Sequence, residues 1–306
     1  MTITHLVTHS GGFHADELLS SVVLTRLFPD ARIIRTRDAD WITPAPDRVI
    51  YDVGRDHDTA RLIFDHHQKN PPLRADGQPF SSFGLIWQQF GQDYLRALAV
   101  PEDHVASIHT GFDADFVLPI DLVDNGALSP EGPLADLSLP LLLESLKPVF
   151  DDRDPEAEDR AFDRALTIAR AFVEAALARK AAKRRAEGVV LQAIAAAGTG
   201  AVLELPMGMP FRGAIDKAGA DHLLFVVSPR DTDWCVTGIR RDAEGFALRA
   251  DLPEAWAGLT DAALEAASGV PGARFCHNAR FIAVAADRDA ALRLAHLAVA
   301  AAQPEP

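Results

Sequence analysis

Seven of the eleven histidines fall before residue 105, and most of them stand beside an acid at the end of a short apolar run. His9 and His14 flank the pair Gly11-Gly12 and are followed by Asp16. The glycines let the backbone turn sharply and bring both imidazoles toward one point. Asp52 follows Val49-Ile50-Tyr51, and Asp65-His66-His67 follows Leu62-Ile63-Phe64. A fourth acidic group runs from Asp121 to Asp124 and continues into Asn125-Gly126. Imidazole mixed with carboxylate suits manganese, iron, zinc or magnesium; the mixture leans to manganese, with magnesium the alternative. One ion takes about three or four protein ligands. His9, His14, Asp16, Asp52, His66 and one of Asp121 or Asp124 offer about twice that, so two divalent ions sharing a bridging carboxylate are expected. Two such ions, roughly 3.5–4 Å apart, clamp the attacking and leaving oxygens of a phosphoryl centre and make water a nucleophile near neutral pH.

Each group has a plainer explanation when taken alone. A lone buried histidine is commonly a satisfied core residue, and a lone Asp after a strand is commonly a turn or cap residue. Four groups at the ends of successive runs make coincidence the weaker explanation. Other chemistries lack their signatures: the chain has no G-x-x-x-x-G-K-[ST], no G-x-G-x-x-G after a strand, no G-x-S-x-G and no H-E-x-x-H.

Something must hold these groups together, and the apolar rhythm indicates what. Leu6-Val7-Thr8, Ala31 to Ile34, Val49-Ile50-Tyr51 and Leu62-Ile63-Phe64 read as short strands. Asp16 to Phe28, Ser82 to Leu98 and Val105 to Leu122 read as helices. The alternation argues for an α/β domain with a largely parallel sheet and flanking helices, whose ligands gather at the carboxyl ends of the strands. Pro155 to Gly188 contains no other Gly or Pro and is rich in Ala, Glu, Arg and Lys, so one long helix is expected. Its Arg179, Lys180, Lys183, Arg184 and Arg185 are either a solvated face near the helix end or a nucleic-acid contact. Strands return at Ala201 to Leu205, Leu223 to Val227 and Cys235 to Ile239. A hairpin is expected around Asn278-Ala279, followed by a helix from Arg288 to about Ala301. The expected division is 1–150 for a catalytic domain, 151–197 for a connecting helix and 198–306 for a smaller α/β domain on the substrate side.

The 306 residues suffice for two domains. A net charge of -14 argues against a reader of long duplex DNA, but short nucleic acids stay within reach because bound cations reverse the local potential. Cys235 and Cys276 fit reduced thiols, and neither sits in a metal-type pair. No apolar run approaches the roughly 20 residues of a membrane span, and the N-terminus lacks the features of a signal peptide, so a cytoplasmic protein is expected. Association of identical chains is left open.

The motifs, in order, resemble the DHH phosphoesterase superfamily and, more closely, the Myg family of DHH-like proteins, described as 3'-to-5' RNA exonucleases. They are H-S-G-G-F-H-A-D-E from His9, R-T-R-D from Arg35, Y-D-V-G from Tyr51 and F-D-H-H-Q from Phe64. S-S-F-G-L-I-W from Ser81, D-L-V-D-N-G from Asp121, M-P-F-R-G from Met209 and the stretch from Gly269 to Phe281 continue the series. The superfamily usually has Asp in the first motif where His14 stands here. The resemblance implies a metal-dependent phosphodiesterase acting on short RNA or nucleotides. In it, His9 and His14 would hold one ion, and Asp16 and His66 the other, completed by Asp124 or Asp121. Asp52 would bridge. Asp65 would orient a histidine from behind, and His67 would face the phosphate and protonate the leaving oxygen. Arg35 and Arg37 would grip a phosphate, unless they pair with Asp38 or Asp40. His277, Asn278 and Arg280 would form the substrate-side loop, unless they are an ordinary polar turn. Two alternatives accompany this reading: a phosphomonoesterase or pyrophosphatase on a small substrate, and a non-catalytic metal-dependent binding protein.

Overall fold

The short β-branched runs at the head of the chain form strands linked by helices. The order is β1 (His5–Thr8), α1 (Ala15–Leu27), β2 (Arg32–Arg35), α2 (Ala39–Ile42), β3 (Arg48–Tyr51), β4 (His57–Asp58) and β5 (Ile63–Phe64). The computed structural model describes residues 2–242 and 245–302; Met1, 243–244 and 303–306, which the expected domain limits include, lie outside the described residues. The five strands form one sheet in the order β2-β1-β3-β5-β4, parallel except for the β4–β5 pair. β1 therefore leads to β2 on one side and has β3 on the other. That is a switch point, the place where an open α/β sheet leaves a crevice at its strand ends.

Alternation along the strands gives the sheet two apolar faces. Leu6, Val49, Tyr51 and Phe64 are fully buried in the main core with residues of α1 and of α3 (Ser82–Ala97). Val7, Ile50 and Ile63 face the other way, against Ile34, Trp41 and Ile42. Burying each such side chain is worth about 1.5–3 kcal/mol. α1 is buried on all sides from Ala15 to Leu24, so polar residues of its first turn also face the interior.

Val105 to Leu122 is helical, but not uniformly. α4 (Glu102–Phe112) passes into one wider π-type turn, Asp113–Val117, and then into α5 (Leu118–Asp124). Leu118 donates to the Asp113 carbonyl, an i to i−5 bond. Pro119 follows and has no N–H to continue the ordinary ladder. After α6 (Leu139–Glu144) comes α7 (Ala157–Ala197), a helix of 41 residues that runs through Gly188. Ala161, Ala165, Ala169, Val173, Leu177 and Ala181 are buried at every fourth position of α7 and belong to the core of the first sheet. Val190, Leu191 and Ile194 belong to a second core.

The chain divides into two compact units, Met1–Ala181 and Ala182–Pro306, and the division falls within α7. The second unit contains β6 (Val202–Glu204), α8 (Arg212–Lys217), β7 (Phe225–Pro229), β8 (Trp234–Gly238), α9 (Asp261–Ser268), β9 (Ala273–Cys276), β10 (Ile282–Ala285) and α10 (Arg288–Ala302). Its sheet runs β6-β7-β8-β10-β9, with β6 parallel to β7 and the remaining pairs antiparallel. The hairpin around Asn278-Ala279 is the β9–β10 pair. Cys235 and Cys276 are buried free thiols. Within the basic stretch of α7, Lys180 pairs with Asp115, and Arg184 with Glu187 at 2.9 Å. Among the described residues no helix is long and apolar enough to cross a membrane.

Candidate metal centre

The ends of β1 and β3, the start of α1, the loop after β5 and the end of α5 meet at the switch point. His9 follows β1 and Asp52 follows β3. His9 Nε2 lies 3.2 Å from Asp52 Oδ2 and 3.0 Å from Glu17 Oε1. His66 Nε2 faces three carboxylates: Asp124 Oδ2 at 3.3 Å, Asp52 Oδ1 at 3.4 Å and Asp16 Oδ2 at 3.9 Å. Asp52 thus stands between the two imidazoles, one oxygen toward each. It holds φ of 55°, a left-handed conformation costing an L-residue about 1–2 kcal/mol, which aims its side chain inward.

Several sets of ligand atoms lie within 4.8 Å of one another: Asp52, Asp65, His66 and His67; His9, His14 and Glu17; His14, Asp16 and Asp124; and Asp16, Glu17 and Asp52. All the proposed ligands except Asp121 are therefore brought together. Glu17 is an addition that the sequence did not single out. It is fully buried, and its carboxylate also accepts the His14 backbone N–H at 2.8 and 2.9 Å, which closes the first turn of α1. An acid three residues after a helix entry is the available signal for that bond.

Asp121 is placed elsewhere. Its Oδ1 accepts from Ser81 Oγ at 2.7 Å and from the Gly84 N–H at 3.1 Å, and Arg74 donates to its Oδ2 at 2.6 Å. The carboxylate therefore caps the first turn of α3 and belongs to none of the ligand sets among the described residues. This anchors α5 so that Asp124 and Asn125, at its end, reach the centre. Asn125 Oδ1 lies 3.3 Å from His66 Nδ1, while Asn125 Nδ2 donates to the carbonyls of Phe80 and Asp121. Ser82 Oγ donates to the Phe64 carbonyl at 2.9 Å, tying the same helix start to the Asp-His-His loop.

Asp65 holds that loop in shape. Its Oδ1 accepts the N–H groups of His66 and His67 at 2.7 and 3.1 Å and meets His67 Nδ1 at 2.8 Å. Its Oδ2 accepts the Arg55 N–H at 2.6 Å. His67 is held by one nitrogen while its side chain stays 56% exposed, which leaves Nε2 available at the mouth of the site.

Packing five acids into a buried cluster perturbs their titration. Burial, then the charges of Asp124 and Asp52, raises Asp16 well above the usual carboxylate range. Burial also raises Asp124, against the pull of His66. Burial would raise Asp52 too, but the imidazoles of His66 and His9 beside it bring it down to about 2. Burial opposes charge on both histidines. Bonds to Asp52 and Glu17 nonetheless push His9 up to about 10, and Asp52 with Asp124 pushes His66 up to about 9. Both oxygens of Asp16 and Oδ1 of Asp52 are buried without a hydrogen-bond partner. A buried carboxylate left unpaired costs several kcal/mol. Orphaned acid oxygens beside imidazole nitrogens are what a divalent cation would satisfy, so the donor set fits the metals that the sequence implies.

A cavity of about 320 Å³ opens over the cluster, with His9, Gly12, His14, Arg37, Ile42, Asp52, Val53, Gly54, Arg55, Asp65 and His67 in its wall. Arg37 is thus placed at the site. Arg35 is not: its guanidinium packs over the Phe162 ring, pairs with Asp159 at 2.6 Å and donates to the Gly11 carbonyl, so it braces the first loop instead of facing a ligand. In the second unit, His277 and Asn278 shape the β9–β10 turn, where the His277 ring nitrogen accepts the Ala279 N–H at 2.9 Å. Arg280 is committed to Asp251 at 2.8 Å and to the Leu252 carbonyl.

A protein family described as MYG1_exonuc, Uncharacterised protein family (UPF0160), matches residues 5–299. MYG1 exonuclease of Homo sapiens is 30% identical over 336 residues, spanning 96% of this chain and 85% of the human one. MYG1 protein YER156C of Saccharomyces cerevisiae is 29% identical, spanning 96% of this chain and 95% of its own. A solved structure of exonuclease RecJ bound to manganese covers 98% of this chain and 91% of its own at 16% identity, with a TM-score of 0.28, a level from which no shared geometry follows.

Proposed function

We propose that this chain, which belongs to the MYG1_exonuc family, is a two-metal phosphoester hydrolase that removes nucleotides from the 3' end of short RNA. The observation that carries this reading is the buried set of partnerless carboxylate oxygens among imidazoles, opening into a cavity of small-ligand size. The name of the human relative, MYG1 exonuclease, supports it. Two divalent ions, manganese favoured, would supply Lewis acidity at the phosphoryl group and lower the pKa of the attacking water.

The residues divide the remaining work. His9, His14 and Glu17 form one end of the donor set, and Asp16, His66 and Asp124 the other, with Asp52 between them. Asn125 holds the far nitrogen of His66 and so keeps Nε2 turned toward the carboxylates. Asp65 fixes Nδ1 of His67, whose Nε2 delivers a proton to the leaving oxygen. Its bond to Asp65 raises the His67 pKa, which favours the protonated form that a general acid needs. Arg37 stands in the cavity wall, where its charge attracts an anionic substrate. The net charge of -14 favours short substrates over long ones. Phosphomonoesterase or pyrophosphatase action on a small phosphate ester is the second reading.

The test is incubation of manganese-loaded protein with a short oligoribonucleotide labelled at its 5' end. A ladder shortening from the 3' end, lost in His66→Ala and Asp52→Ala variants of unchanged circular dichroism, is expected. A wild-type protein that binds metal but leaves oligonucleotides, nucleotides and pyrophosphate all intact defeats the reading.

A further inference from the structure

The turn after β3 carries three residues with positive φ: Asp52 at 55°, Gly54 at 103° and Arg55 at 54°. Glycine takes such angles freely, whereas other L-residues are strained there. For Gly54 the residue type fits. For Asp52 the strain is offset by a place between His9 and His66. Arg55 has no such return within the protein. The position needs an N–H to donate to Asp65 Oδ2, and a glycine would supply it without strain. The Arg55 side chain is exposed and makes no ion pair or hydrogen bond among the described residues. It does line the cavity over the metal cluster, as does Arg37, which is likewise exposed and unpartnered among the described residues. A bulky cation kept in a strained conformation, with nothing in the protein to bind, points to a ligand.

We propose that Arg55, with Arg37, forms an anion subsite in the cavity wall that takes a second phosphate of the substrate, beside the one being hydrolysed. This rests on the phosphoester-hydrolase reading and narrows its substrate class to nucleotidyl compounds bearing at least two separate phosphate groups. A guanidinium presents paired N–H donors that match phosphate oxygens, and its charge persists at any working pH. The subsite also accounts for anion entry into a chain of net charge -14: among the described residues, the two arginines are the only basic side chains in the cavity wall besides the histidines.

The test compares two diribonucleotides, one with a 5'-terminal phosphate and one without, on manganese-loaded wild type, Arg55→Gly and Arg55→Lys. Arg55→Gly relieves the strained backbone and keeps the N–H to Asp65, so the loop is preserved. Wild type should prefer the phosphorylated substrate in kcat/KM by about ten-fold or more, the scale of a charged hydrogen bond. That preference should collapse toward unity in Arg55→Gly and be partly restored in Arg55→Lys. A purely structural effect of the substitution would slow both substrates alike and leave their ratio unchanged; an unchanged ratio overturns the proposal. Calorimetry with a nucleoside 3',5'-bisphosphate and a nucleoside 5'-monophosphate gives a second readout that needs no turnover. Tighter binding of the bisphosphate, lost in Arg55→Gly, upholds the subsite even if neither dinucleotide is cleaved, in which case only the hydrolase reading fails. Equal Kd ratios in wild type and variant reject the subsite whether or not cleavage occurs.

Discussion

Replacing Gly84 with alanine should unfasten the metal centre from a distance. A β-carbon at this position would overlap Asp121 Oδ2 and lie 2.7 Å from Oδ1 and Cγ, where ordinary contact begins at 3.4 Å. The carboxylate must move, yet it is fully buried and held by Arg74, Ser81 and the Gly84 N–H itself. Hydrogen bonds to a charged group are worth about 1.5–3 kcal/mol each. Stranding a buried charge costs about 3–5 kcal/mol. Alanine returns about 1 kcal/mol through its better helix propensity. The net expectation is a loss of about 2–4 kcal/mol, or roughly 5–15 °C in the unfolding midpoint of a unit of this size. Gly188→Ala is the counterpart: it sits inside α7 with nothing within 4 Å of the added carbon, so the same exchange should stabilise by up to about 1 kcal/mol. Both variants are compared with wild type by thermal unfolding of the metal-free protein. A Gly84→Ala midpoint equal to wild type, or higher, refutes the reasoning that Asp121 is clamped.

Asn125→Ala should weaken manganese binding about 10–100-fold, measured by calorimetry, because His66 loses the partner of its far nitrogen; undiminished affinity rules out that role. Manganese binding at pH 7 should release protons, since His9 at about 10 and His66 at about 9 are charged before the metal arrives and neutral after it, and the raised carboxyl of Asp16 must ionise as well. Identical heats in buffers of different ionisation enthalpy, meaning no net release, contradict this. The metal-free protein should also lose stability as pH rises. The two histidine values lie above their ordinary 6.5, so their contribution is complete below pH 6.5 and disappears as pH passes 9 and 10. Asp52, lowered to about 2, contributes above pH 3.8 and loses its contribution as acid approaches pH 2. A metal-free melting temperature that climbs between pH 6.5 and 10 runs against the assignment.

The strand ends were legible because a short apolar run stopped by His or Asp is a local pattern, and β1, β3 and β5 each end where such a run ends. Glu17 was not legible. Neighbouring residues on a helix point about 100° apart, so Asp16 and Glu17 both face the centre only because α1 is enclosed on every side, a property of the packing. Asp121 and Asp124 share a helix face, and nothing within their own segment chooses between them. The choice is made by Arg74, Ser81 and Gly84, 37 to 47 positions earlier in the chain. Arg35 misled for a similar reason, since the acid that claims it, Asp159, lies 124 positions further on. Arg55 stood beside a recognisable motif, but its left-handed backbone cannot be read from residue type.

The π-type turn at Asp113–Val117 sets a constraint of its own. Each residue of helix advances the side-chain direction by about 100°, and a wide turn takes in one residue more than the regular ladder would. The turn therefore absorbs that extra residue: tightening it to regular α spacing with every residue kept would swing Asp121, Asp124 and Asn125 about a quarter-turn away from Ser81, Gly84 and His66, whereas removing one residue would close the turn with the end of α5 still in phase. The centre therefore depends on the wide turn itself: a change that tightens it without removing a residue puts the end of α5 out of phase with the sheet, while a single deletion there leaves it in step.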